Sequence, residues 1–349
     1  MKATGRANNG AGPALAVGVV GVGWIGGLRA RVLAESGLVG RLFLAEIDEA
    51  RGTAVASEVG AAGMTADYHQ WLEEVEAVIV ATTPESSHFP IAKECLEAGK
   101  HVLLEKPIAL TLDEADVLNQ LADASHLTLS IGFTQRFNPK MAWVKAAVSA
   151  GEVGRPISSL VSRNMSRAIG HKVSSRGRLG PALMQAPHDV DLELWWFGDD
   201  RPERVYAQSS HGMLYEKFGI PDCTWILGTM RSGGTFVVGA NWSLPGEATG
   251  AQSTVVEFMG TDGGILVDDS RRDVMLVSGQ TGLRRPLATM PGESLNHVFA
   301  GPLESETLAF IHAVLGRAGA AASGHDARRV LEVCLAAERS AQSGLAERV

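Results

Sequence analysis

The chain has 349 residues, which at about 150 residues per domain suggests two domains. Hydrophobic residues make up 45% and charged residues 20%, the proportions of an ordinary globular protein with a sizeable core. Lys and Arg number 31 against 39 Asp and Glu, a net charge of −8 that excludes the basic face a nucleic-acid partner requires.

Three scattered cysteines, Cys95, Cys223 and Cys334, exclude a disulfide framework and a zinc ribbon and point to a reducing cytoplasm. Residues 1–13 are small and polar and read as a disordered arm. The uncharged stretch 10–28 follows Lys2 and Arg6 in the manner of a secretory signal, but its glycine content suits a buried strand and a glycine turn. No other segment approaches the length of a bilayer span, so no membrane partner is expected.

Leu15–Val20 is a continuous apolar run, as in a strand buried on both faces. A helix is predicted over Trp24–Glu35, a strand over 41–47 and a helix over Glu49–Val59. Strands follow at 77–81, His101–Leu104 and 127–131. Between them a helix over 90–98 is closed by Gly99, and Thr111 with Glu114 forms a capping box opening a helix to Ala124. Strands alternating with helices make residues 14–132 an α/β unit with a doubly wound parallel sheet of the Rossmann kind.

From 133 to 349 the texture is α+β. Asn138 and Pro139 open a helix to about 150. Strand-like runs follow at 157–163, 203–210, 223–231, 235–242, 252–259, 264–268 and 273–278, several joined by Gly turns, which predicts a mostly antiparallel open sheet of about six strands. Helices are predicted near 181–197, 303–315 and 325–343, the last free to pack back on the first domain.

Gly21-x-Gly23-x-x-Gly26, enclosing Trp24 and Ile25, sits between the first strand and the first helix. The first glycine makes the turn, the second admits a pyrophosphate and the third lets helix and strand pack, while the helix N-terminus supplies N–H donors. Glu46, 20 residues past the third glycine, is placed to accept from the adenosine ribose, with Asp48 as alternative or as helix cap. No Lys or Arg adjoins Glu46, which favours NAD over NADP. Thr82, Thr83 and Pro84, with His88 beyond, and Glu105-Lys106-Pro107 end strands at the carboxyl edge, where ligands of open α/β sheets lie. A lysine there becomes a proton shuttle once desolvation lowers its pKa.

These segments resemble the Gfo/Idh/MocA (glucose–fructose oxidoreductase / inositol dehydrogenase) family over nearly the whole chain. The resemblance rests on GVVGVGWIG (18–26), ATTPESSH (81–88), AGKHVLLEKPIALT (98–111), GFTQRFNP (132–139) and RRVLEVCLAAERSAQSG (328–344). It implies a catalytic role for Lys106 in proton transfer and substrate orientation, with a cis peptide before Pro107. It implies an acid/base or substrate-binding role for His188. The family pattern has Asp four residues before that His; here the position is Met184, which removes the expected Asp–His dyad and leaves Lys106 as the main proton carrier.

Around His188, Gln185 lies one turn away and Asp189 is adjacent, both candidate substrate contacts; Asp191 reads as structural. No third partner makes a metal site, and none is expected. Trp195 and Trp196 read as packing. Arg163, Asn164, Arg167, His171 and Lys172 read as a largely solvated loop from which one residue, Arg163 foremost, lines the substrate pocket; Arg136 is structural or substrate-adjacent.

The expected function is hydride transfer between NAD and a secondary hydroxyl or ketone of a sugar, cyclitol or amino sugar. The lean toward an amino sugar of an antibiotic or secondary-metabolite pathway rests on the net charge and on Asp189. A NAD-dependent glycosidase and a sugar-responsive regulator remain alternatives. Alternating apolar residues on the sheet, Trp225, Phe236, Val238 and Trp242 among them, predict a homodimer or homotetramer.

Overall fold

The protein is described by a computed structural model over residues 15–177, 179–245, 252–268 and 301–349, with four short strands between 276 and 299. The 1–13 arm lies outside the described residues, as does the 273–278 strand apart from Leu276–Ser278.

The N-terminal half runs β1 (Leu15–Val20), α1 (Trp24–Glu35), β2 (Val39–Ala45), α2 (Glu49–Val59), β3 (Gly63–Thr65), β4 (Ala77–Val80), α3 (His88–Glu97), β5 (His101–Leu104), α4 (Leu112–Ala124) and β6 (Leu129–Ile131). The strands form one parallel sheet in the order β3-β2-β1-β4-β5-β6. Its middle strands are apolar throughout because helices cover both faces. The order reverses beside β1, which opens a crevice over the strands' carboxyl ends. Thr111 and Glu114 make the expected capping box at α4, and Gly99 takes φ +74 after α3.

The second half holds α5 (Pro139–Ser149), β7 (Pro156–Ser166), α6 (Arg167–Ser174), α7 (Pro181–Met184), α8 (Ala186–Phe197), β8 (Pro202–Ser210), α9 (Met213–Phe218), β9 (Cys223–Met230), β10 (Thr235–Leu244), β11 (Gln252–Gly260) and β12 (Gly264–Asp268). Two short ladders follow, β13 (Leu276–Ser278) with β14 (Gly282–Arg284) and β15 (Ser294–Leu295) with β16 (Val298–Phe299). Then come α10 (Pro302–Val314), α11 (Gly324–Ser343) and β17 (Glu347–Arg348). The large sheet has the order β12-β11-β7-β10-β9-β8-β17, and only the β7–β10 pairing is parallel. The helix expected over 181–197 is two helices. Pro187 has no N–H to give and its ring crowds the preceding turn, so the chain breaks at Gln185.

One face of this sheet packs on α8 and α11, burying Phe236, Val238, Ile226 and Phe258. Trp225 pairs with Gly239 and Leu227 with Val237, so these point to the opposite, open face together with Tyr206. The expected apolar surface is therefore corrected: Phe236, Val238 and Trp242 belong to the covered side, and Trp225 with Leu227 and Tyr206 to the exposed one.

The two halves are tied by ion pairs. Arg29 of α1 is fully buried, shared between Glu105 and Glu306 of α10 at 2.6 Å each. Arg136 makes a double hydrogen bond to Asp191 (2.8 and 2.6 Å) and donates to the Ala321 carbonyl. Arg136 and Asp191 are thus both structural, and Trp195 stacks under the Arg136 guanidinium while Trp196 is core. Cys95, Cys223 and Cys334 are buried free thiols. No helix among the described residues is long and apolar enough to cross a membrane.

Candidate active site

The turn from β1 to α1 has the geometry of a phosphate cradle. Gly21 sits at φ +82, where a Cβ would lie 2.7 Å from the Ala81 carbonyl oxygen, and a Cβ on Gly26 would collide with the Gly21 carbonyl. A Cβ on Gly23 would meet nothing within 4 Å, so the protein leaves that side of the backbone open. Helix α1 has no side-chain cap and no acidic residue in its first turn, so its N–H groups and its positive end face that opening. The cradle therefore fits a dinucleotide, with Gly23, Trp24, Ile25 and Gly26 as the residues able to hold the pyrophosphate.

Glu46 lies just past β2. Its carboxylate accepts from the N–H of Val22 (3.0 Å) and Asp48 (3.0 Å) and from Arg51 (2.8 Å). Burial pushes its pKa up, but Arg51 and the two backbone donors outweigh this and hold it below the ordinary value, so it is charged. Asp48 caps α2 through the Arg51 N–H. The expectation that no base neighbours Glu46 is corrected: Arg51, one turn into α2, folds back onto it.

Thr82, Thr83 and Pro84 follow β4 at the carboxyl edge, and Thr83–Pro84 is cis. His88 does not reach the crevice. It is 1% exposed, and its ring nitrogens lie 2.8 Å from the Pro107 carbonyl and 3.1 Å from the Thr82 carbonyl. It pins the two strand-end turns together, which corrects its expected place as a direct cofactor contact.

Lys106–Pro107 is cis, and Lys106 Nζ donates to the Met184 carbonyl at 2.8 Å. The main chain at residue 184, where the family pattern has Asp, thus holds the Lys106 ammonium. Burial lowers the Lys106 pKa, opposed by Glu105 and Glu85. Glu105 Oε1 is bound by Arg29 through Nε (2.9 Å) and Nη2 (2.6 Å). Its Oε2 lies where a side chain on Gly132 would have to go, which explains the glycine that opens GFTQRF.

Lys106 shares one cavity of about 200 Å³ with His188, Gln185, Arg163 and the Trp24–Ile25 tip of the glycine turn. Burial drives the His188 imidazolium pKa far down, and the charges of Lys106 and Arg163 add to this. Its Nδ1 is buried with no partner, as the loss of an Asp at 184 predicts. Arg163 grips Asp189 with contacts of 3.0, 3.0 and 2.6 Å, and Asp189 is 0% exposed. Asp189 is therefore corrected from substrate contact to the neutralising partner of Arg163.

The loop expected after Arg163 is instead the end of β7 and the helix α6, capped by Ser166. Arg167 donates to the Ser243 carbonyl, His171 packs edge-on against Phe218, and Lys172 lies 5.3 Å above the Trp24 ring, across from the glycine turn. Sequence reading missed Thr134, Gln135, Met165, Ile169, Val173, Trp242, Gln252 and Leu303, which also line the cavity. The Ser166 cap was a usable signal for α6; the remainder come together only in three dimensions. Among the described residues no group of three or more His, Cys, Asp or Glu could hold a metal ion.

Residues 15–133 match the family model described as "Oxidoreductase family, NAD-binding Rossmann fold", and residues 141–266 the "GFO/IDH/MocA C-terminal domain". A myo-inositol dehydrogenase, Hyg17, of Streptomyces leeuwenhoekii is 27% identical over 95% of this chain and 98% of its own. The scyllo-inositol 2-dehydrogenase (NAD(+)) of Bacillus subtilis is 26% identical over 76% of this chain and 77% of its own. The scyllo-inositol dehydrogenase of Lactobacillus casei, solved with NAD(H) and scyllo-inositol, superposes with a TM-score of 0.83 at 20% identity, over 96% of this chain and 99% of that one. Both halves match models of a single family, in the order and at the places where the glycine turn and the open sheet lie, and the chain belongs to the Gfo/Idh/MocA oxidoreductases with an NAD-binding Rossmann domain.

Proposed function

We propose that the protein oxidises a secondary hydroxyl of a sugar- or cyclitol-type ring, or reduces the matching ketone, with Lys106 carrying the hydroxyl proton and His188 orienting the reacting oxygen. The observation that carries this reading is the shared cavity. Lys106 Nζ, held by the Met184 carbonyl, lines the same space as His188 and the tip of the dinucleotide turn. The relatives named as inositol dehydrogenases support the substrate class.

NAD, when bound, supplies the hydride acceptor. The rest of the chemistry belongs to side chains. Burial disfavours the Lys106 ammonium, so its neutral amine is available to take the hydroxyl proton. The Met184 carbonyl aims the amine without adding negative charge. His188 is neutral, and a buried unpaired N–H is less tolerable than a buried lone pair. Its proton therefore belongs on Nε2, which makes His188 a donor to the reacting oxygen and not a base.

The amino-sugar and antibiotic-pathway lean loses its structural ground, because Asp189 is already paired with Arg163. The buried free thiols suit a reducing cytoplasm. A screen of sugars and cyclitols with NAD, read at the NADH absorbance band, tests the proposal. NADH accumulation with a ring alcohol is expected. Release of a leaving group without net NADH would mean a glycosidase instead, and no conversion of any ring alcohol or ketone would overturn the reading.

A further inference from the structure

The cavity around Lys106 divides by chemistry. Met165 of β7, Ile169 and Val173 of α6, Met184 of α7 and Trp242 of β10 give it an apolar wall. Met165, Val173 and Met184 pack on a small hydrophobic cluster of Leu214, Ile220 and Trp242, distinct from the two main cores. Several polar atoms nearby are engaged with protein. Gln185 Oε1 accepts from Trp242 Nε1 (3.3 Å), Gln135 Oε1 from Asn138 Nδ2 (3.4 Å), Arg163 holds Asp189, and Glu105 is held by Arg29. Beside Lys106 and His188, Thr134, Gln252 and the amide NH2 groups of Gln135 and Gln185 complete the polar part of the lining, whereas the wall's own side chains offer a hydroxyl no free partner.

We propose that the substrate is a partly deoxygenated ring: a secondary alcohol on a sugar or cyclitol that presents hydrogen, alkyl or aryl groups, in place of hydroxyls, on the side away from the reacting carbon. The proposal rests on the dehydrogenase reading above. A hydroxyl pressed against this wall loses its water and finds no partner, whereas a methyl or aryl group there gains by leaving water. A fully hydroxylated cyclitol can offer this wall only the C–H bonds of a ring face, and any hydroxyl or hydroxymethyl group projecting onto the wall meets that penalty.

The test compares matched probes: D-glucose with 6-deoxy-D-glucose, methyl with phenyl β-D-glucoside, and myo-inositol with a monodeoxyinositol, each with NAD. The less polar member of at least one pair is expected to have the higher kcat/KM by about ten- to a hundredfold, the range an apolar pocket achieves against an added hydroxyl. Equal or better turnover of the more polar member in every pair overturns the proposal. Val173→Thr, which adds a hydroxyl at nearly constant shape, is expected to narrow that preference several-fold with KM for NAD unchanged; Ile169→Thr serves should the first variant not fold. An unaltered preference in the folded variant overturns the assignment of the wall. Absence of turnover in all pairs would sink the dehydrogenase reading alone. Calorimetry of the same pairs with NAD-loaded protein then decides the pocket: tighter binding of the phenyl glucoside upholds the substrate class, and equal or weaker binding overturns it.

Discussion

Burial lowers the pKa of both Lys106 and His188, with opposite consequences. For the lysine it makes a base available; for the histidine it removes a charge and leaves a hydrogen-bond donor. Alcohol oxidation should therefore rise with pH along a single limb lying below the ordinary lysine value, as Lys106 gives up its proton. Lys106→Met should lower kcat by roughly 10²–10⁴ and abolish that limb. His188→Ala should lower kcat less and raise KM, leaving the limb in place. A silent Lys106→Met beside a crippled His188→Ala in pH-resolved kinetics would reverse the roles. At Glu46 the charged carboxylate opposes a 2′-phosphate, so NAD should bind more tightly than NADP. Arg51, half exposed, softens that contrast. Glu46→Gln should release Arg51 and narrow the preference severalfold, roughly the 0.2–1 kcal/mol of a solvent-screened pair. Calorimetry with both cofactors measures it, and equal affinities in the unaltered protein would refute the role of Glu46.

Between elements, the link from α1 to α10 has its own pH signature. Burial pushes Glu306 up to about 7 against the pull of Arg29, and its Oε1 is buried without a partner. In the unfolded chain the same group titrates near ~4.3. Its contribution to stability is thus fully present below that value and is lost as pH rises through about 7. Glu306→Gln, which keeps the neutral form, should flatten the fall of Tm between roughly pH 4 and 7; parallel Tm curves for the two proteins would contradict this. The elements themselves were legible where one signal sufficed. The apolar runs of β1 and β5 and the Thr111–Glu114 box gave their bounds directly. The three-residue β3 is only half-buried and carries no apolar run. Helix α6 is short and polar enough to pass for a loop, and the 181–197 helix breaks because Pro187 interrupts an otherwise helical periodicity. The Glu46–Arg51 pair escaped because the residues are five apart and meet only when α2 turns back over β2.

For the whole molecule, the open face of the large sheet is the feature left without a cover among the described residues. Tyr206, Trp225, Leu227 and Leu266 are exposed on it, with Trp225 lying over the bare backbone of Gly239. Apolar patches of this kind mark interfaces, and a sheet face pairing with its own copy gives a closed two-fold assembly. Light scattering at micromolar concentration should therefore report a dimer or a doubled dimer. Leu227→Glu, which places a charge in the patch without touching the covered face, should shift the distribution to monomer while leaving Tm of the isolated subunit nearly unchanged. A stable monomer before any substitution would end this idea. The face was misassigned from sequence because β9 carries large apolar residues on both sides, Trp225 and Leu227 on one and Ile226 and Met230 on the other. Alternation shows which residues share a side, and only the register of Trp225 with Gly239 shows which side is wet.

Met184 gives the site an unusual division of labour. Its carbonyl holds the Lys106 ammonium, while its side chain belongs to the apolar wall. Had a carboxylate side chain done the holding, a single codon change could remove it. A main-chain oxygen survives every replacement that preserves the turn. Variation at position 184 can therefore remodel what the pocket admits while the proton carrier stays aimed, so that in a saturation library of this position selectivity and turnover should vary independently. A lineage carrying this arrangement can explore new ring substituents one mutation at a time without passing through an inactive enzyme.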